Sequence, residues 1–60
     1  MHFKLKDDFV VGNSVIVPKG EFCIGPTKGH SGTNETSSAI HCEFKYLSPC
    51  WVPKDLLEKY

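Results

Sequence analysis

Apolar and polar residues alternate at the two ends of this chain and not in its middle. Phe3, Leu5 and, after a break at Asp7, Phe9 share a period-2 face. Val15-Ile16-Val17 is short and β-branched, and Pro18-Lys19-Gly20 ends it with a turn. Phe22 and Ile24 then alternate with Glu21 and Cys23. The cleanest pattern follows: Ile40, Cys42, Phe44 and Tyr46 alternate with His41, Glu43 and Lys45. A side-chain period of two belongs to a strand with one buried face. Ser48-Pro49 turns the chain into Cys50-Trp51-Val52. Pro53 can open a single helical turn over residues 53–57, because a proline there loses no hydrogen bond. No amphipathic helix of three turns fits anywhere.

The stretch from Gly25 to Ser38 has no large apolar side chain and is punctuated by Gly25, Pro26, Gly29 and Gly32. A long polar loop is expected at 25–38, without regular structure and mobile. It has a superficial likeness to a phosphate cradle, but its Lys28 precedes Gly29 and no helix follows to point its N-terminus at a phosphate. The expected fold is therefore all-β, a small antiparallel barrel or a sandwich of two bent sheets. The expected core is Phe9, Val15, Val17, Phe22, Ile24, Ile40 or Cys42, Phe44, Val52 and Leu57, with faces assigned to within one residue of slip.

Length and charge narrow the function. Sixty residues, 40% of them hydrophobic, suit one domain over 1–60. A chain this short buries only about 60% of its unfolded surface, so its stability margin is thin. No apolar run approaches the roughly 18 residues of a membrane span. Met1 to Asp8 contain no apolar h-region, so a cytoplasmic setting is expected. Seven Lys, no Arg and seven acids give zero net charge, which weakens any nucleic-acid reading. The missing Arg fits AT-rich coding, as in a phage, a plasmid or a low-GC host.

Cys23, Cys42 and Cys50 are an odd number, against a complete disulfide framework. Each sits among apolar residues, where a free thiol packs as a small hydrophobe. Structural zinc recruits Cys in close pairs, and here the gaps are 18 and 7 intervening residues. Three reduced cysteines without metal or other cofactor are expected; a zinc-stabilised domain using them with His41 is the sharper alternative.

Four segments, in order, resemble a Src-homology-3 (SH3) domain. Leu5-Lys6-Asp7-Asp8-Phe9 resembles the opening ALYDY motif, and Lys19-Gly20-Glu21 the KGE that closes the RT loop. His41-Cys42-Glu43-Phe44 resembles the strand that carries the binding-site tryptophan. Cys50-Trp51-Val52-Pro53-Lys54-Asp55-Leu56-Leu57 resembles the closing GWVPSNYI. The match spans about residues 5 to 57, with a longer loop after Ile24. It implies a five-stranded SH3-like barrel with a short 3-10 turn near residues 53–57. It also implies a partly exposed Trp51 beside a peptide groove.

The family's proline-peptide shelf is stripped. Asp7 stands where the first Tyr of the motif would lie, His41 where the binding Trp would lie, and Leu56 where the late Tyr would lie. Proline-rich PxxP peptides are therefore not the expected ligand. Related small barrels of Tudor or KOW type bind other things, so a nucleic-acid-binding barrel is the alternative reading. Catalysis is not expected. His41 and Cys42 point to opposite faces of one strand and cannot pair, and sixty residues leave little room for a pocket.

The chain begins at Met1 and ends soon after such a barrel would close, so a complete small protein is expected. Its expected role is non-enzymatic binding of another protein, as adaptor, accessory subunit or inhibitor. Homo-oligomerisation is a variant of that role, because a small barrel with free strand edges can pair with itself. The expected surface is Asp7, Asp8, His41, Trp51 and Pro53.

Overall fold

Nine short strands and one 3-10 turn follow one another in the computed structural model, which describes residues 1–60. They are β1 (His2–Leu5), β2 (Phe9–Val11), β3 (Ser14–Val17), β4 (Phe22–Ile24), β5 (Lys28–Gly29), β6 (Gly32–Thr33), β7 (Ala39–Phe44), β8 (Cys50–Pro53) and β9 (Leu57–Lys59). The 3-10 turn, Lys54–Leu56, joins β8 to β9, with Pro53 at its N-cap. Five strands form one antiparallel sheet in the order β8-β7-β4-β1-β9, and β2–β3 and β5–β6 are separate hairpins.

The sheet is strongly curved and open, a half-barrel consistent with the small five-stranded barrel-like fold expected, with its two edges not joined. Closure needs tilted strands long enough to bring the two edges into register. The edge strands β8 and β9 have four and three residues, and each is paired along one side only. The β2–β3 hairpin turns through Gly12-Asn13, with Gly12 at φ 62°. A positive φ at the first central position is what a type II′ turn requires, and glycine adopts it without strain.

The concave face of the sheet holds the core: Phe3, Leu5, Val17, Cys23, Ile40, Cys42, Val52 and Leu57. Phe9, Phe44, Cys50 and Leu56 pack against it. Ile40 and Cys42 are both inside, as i and i+2 on one strand must be. Three expected core residues are not. Phe22, Ile24 and Val15 are 49%, 52% and 55% exposed. In Phe22-Cys23-Ile24 all three residues are apolar, so either phase of the alternation satisfies the pattern. Pairing decides it: Cys23 lies opposite Phe44 on the inner face, and Ile24 opposite the exposed Glu43 on the outer. Val15 sits on a two-stranded hairpin opposite Val10, with no second layer to cover it.

The polar segment 25–38 is not structureless. It contains the β5–β6 hairpin and is tied to β7 by Thr27 N–H to the His41 carbonyl and His41 N–H to the Asn34 carbonyl, both 3.0 Å. Gly25 lets it leave the core. A Cβ there would lie 3.0 Å from Cys42 Sγ and from Ile40 Cγ2, and 3.1 Å from the His41 carbonyl oxygen. No helix in the chain is long and apolar enough to cross a membrane.

Candidate functional site

On the outward face of β7 and β8, His41 stands directly opposite Trp51, and Ala39 opposite Pro53. The Lys54 N–H donates to the Ser38 carbonyl at 2.8 Å, just beyond the last pair. Antiparallel ladders alternate hydrogen-bonded with non-hydrogen-bonded pairs, so His41/Trp51 and Ala39/Pro53 are of the second kind, where side chains approach more closely. Pro53, which lacks an N–H, sits where none is needed. The His41 and Trp51 rings meet edge to face, with centroids 5.5 Å apart at 62°. Such pairs contribute about 0.5–1.5 kcal/mol beyond their buried area. Trp51 remains 44% exposed, the partial exposure expected of it.

His41 is held from its other side by the 25–38 segment. Its Nδ1 lies 2.6 Å from Thr27 Oγ1, which in turn accepts from Asn34 Nδ2 at 3.1 Å. The Thr27 hydroxyl, with one proton and two lone pairs, ties Asn34 to the His41 ring, and the sense of its bond to Nδ1 follows the tautomer of the imidazole. The shelf offers the Trp51 Nε1–H donor beside an apolar indole face.

The lower edge of the shelf is braced by Lys54 Nζ and Glu35 Oε2, 2.7 Å apart and both partly exposed. An ion pair of that exposure contributes at most about 1 kcal/mol. Asp7 and Asp8 do not join the shelf by any hydrogen bond or ion pair. Asp7 Oδ1 accepts from Asp8 N–H at 2.8 Å, and Asp8 Oδ1 accepts from Lys19 N–H at 2.7 Å, clamping the base of the β2–β3 hairpin. The structure brings together His41, Trp51 and Pro53, and gives the two aspartates a local role. Thr27, Asn34 and Glu35 were missed by sequence reasoning, since isolated polar residues in a Gly-rich stretch carry no pattern that points at His41.

On the opposite, inner face the three free thiols converge from β4, β7 and β8, with Cys42 directly opposite Cys50. The hydrogen bond between Cys23 and Cys42 splits that pair, holding the Cys23 thiol below its ordinary value and, with burial, pushing Cys42 up, while burial, then the neighbouring Cys42, pushes Cys50 up. A thiol whose pKa is raised by folding contributes stability that is intact below the unfolded value and lost as pH rises above it. Stability to urea should therefore fall above about pH 8.5, where the unfolded chain releases protons that the folded Cys42 and Cys50 keep, by at most about 1.4 kcal/mol per pH unit per thiol, while the depressed Cys23 adds a rise below that pH. Urea titrations between neutral and alkaline pH check this, and a flat profile would contradict it. No group of three or more His, Cys, Asp or Glu side chains is arranged to hold a metal ion.

No protein-family model, curated protein or solved structure matches this chain.

Proposed function

We propose that this is an SH3-like module that binds another protein, without catalysis, through the His41–Trp51 shelf. The observation that carries the reading is a half-exposed Trp51 fixed by ladder pairing and by a ring that is itself anchored. A large amphipathic ring on a rigid strand gives contact area with little ordering cost, the property of residues that dominate protein interfaces. The finer fold assignment is supported by the strand order and by the 3-10 turn between β8 and β9, both in keeping with the LKDDF, KGE and WVP segments.

The reading is tested by affinity capture from the native host, comparing wild type with folded Trp51→Ala by quantitative mass spectrometry. A protein enriched by wild type and lost with Trp51→Ala is expected. Identical captures by both would overturn it.

The ligand is not a PxxP peptide. Three ring positions of a proline shelf are held by Asp7, His41 and Leu56, and Leu56 is packed against the core. Each lost ring contact costs on the order of 1 kcal/mol, against the roughly 8 kcal/mol of a micromolar complex. A panel of PxxP peptides should bind no more tightly than about 0.1 mM by calorimetry. Micromolar binding that shifts the Trp51 indole resonance would show that the groove survives.

A further inference from the structure

A second apolar surface lies outside the shelf. Phe22 and Ile24 of β4, and Tyr60 following β9, point away from the core and are 49%, 52% and 80% exposed. The Phe22 and Tyr60 rings meet edge to face at 4.8 Å, and Lys4 Nζ lies 5.7 Å from the centre of Phe22. A concavity of about 480 Å³ opens among Phe22, Ile24, Phe44 and Tyr60.

The charges around it decide what fits. Glu43 lies opposite Ile24 on the ladder, Glu58 lies opposite Lys4, and Lys45 lines the concavity. None of these four is in an ion pair, the chain's single pair being Lys54–Glu35. Two carboxylates and two ammonium groups ringing one apolar strip leave it without net charge, so neither an acidic nor a basic ligand is favoured. They complement the same surface rotated about a two-fold axis, which can set lysines of one copy against glutamates of the other.

We propose that the outward face of β4, β1 and β9 is the contact between two copies of this chain in solution. The apolar centre of the patch is at the small end for a dimer contact, which suits weak association. At about 200 Å² per ring, Phe22 and Tyr60 alone leave roughly 260 Å² to cover. Ile24 and the stems of the four charged residues extend the patch towards the ~800 Å² per partner of a standard interface. β8 lies two strands from β4, roughly 10 Å away across the same outward face, so Trp51 itself lies outside the proposed contact.

Sedimentation equilibrium over micromolar to millimolar concentrations tests this. Wild type should rise from 6.7 kDa to twice that mass. Ile24→Glu and Tyr60→Ser should each stay folded by far-UV circular dichroism and weaken association. A two-fold interface counts each change twice, so about tenfold per copy becomes about a hundredfold. Should Ile24→Glu fail to fold, Tyr60→Ser decides alone, since that side chain is 80% exposed. Trp51→Ala should dimerise like wild type. A wild type that is monomeric throughout overturns the proposal. So does a dimer that survives Tyr60→Ser at full strength, or one that is lost on Trp51→Ala or on Val15→Lys in the β2–β3 hairpin.

Discussion

Leu5→Ala should remove most of the stability of this protein. Leu5 is 1% exposed on the inner face of β1, and its neighbours are the small number of side chains that make up the whole core. Truncating a buried leucine costs about 2–5 kcal/mol, as lost transfer energy and as a cavity that relaxes only in part. A domain of this length holds about 3–9 kcal/mol in total, at the usual 0.05–0.15 kcal/mol per residue. Urea unfolding should therefore show a midpoint near zero denaturant, or no folded baseline. Phe22→Ala is the contrast, because Phe22 is larger but lies outward, and it should cost no more than about 1 kcal/mol. A tolerated Leu5→Ala with a destructive Phe22→Ala would mean that the two faces of the sheet are reversed.

Trp51→Ala should separate binding from folding. The ring is outward and 44% exposed, and its main intramolecular contact is the edge of His41. Its loss should cost about 1 kcal/mol of stability. Binding of the partner should fall by about 2 kcal/mol or more, roughly thirtyfold, if this ring is the anchor of the interface. A buried Trp would show the reverse, with about 3–5 kcal/mol lost in folding. Thermal melts and titration calorimetry on the same variant give both numbers. Full-strength binding by a folded Trp51→Ala protein would remove Trp51 from the site.

Much of the fold is legible in the pattern of side chains, and the failures share a cause. Ile40 to Phe44 alternates apolar with polar, so its phase is unambiguous, and the structure places Ile40 and Cys42 inside and His41 and Glu43 outward. Phe22-Cys23-Ile24 has no polar residue to mark the outer face, and only pairing to β7 chooses Cys23 for the core. The same ambiguity hid the outward apolar strip, which exists because that phase is the one adopted. Openness of the barrel depends on edge lengths and tilt, which no local pattern encodes. The 25–38 segment looked structureless because its order comes from backbone hydrogen bonds to β7, to which composition is blind. Trp51 and His41 were legible separately as residue types, but their contact is a property of the β7–β8 register.

Docking of another protein on the outward shelf of β7 and β8 is the proposal on which the function rests. Chemical-shift mapping tests it most directly: the captured partner is titrated into 15N-labelled protein, and the shifts are read residue by residue. The account predicts the largest changes at the Trp51 indole, at His41 and at the amides on either side of Pro53, with small changes at Asp7 and Asp8. Changes confined to the β2–β3 hairpin or to Phe22, Ile24 and Tyr60, with the Trp51 indole unmoved, would contradict it.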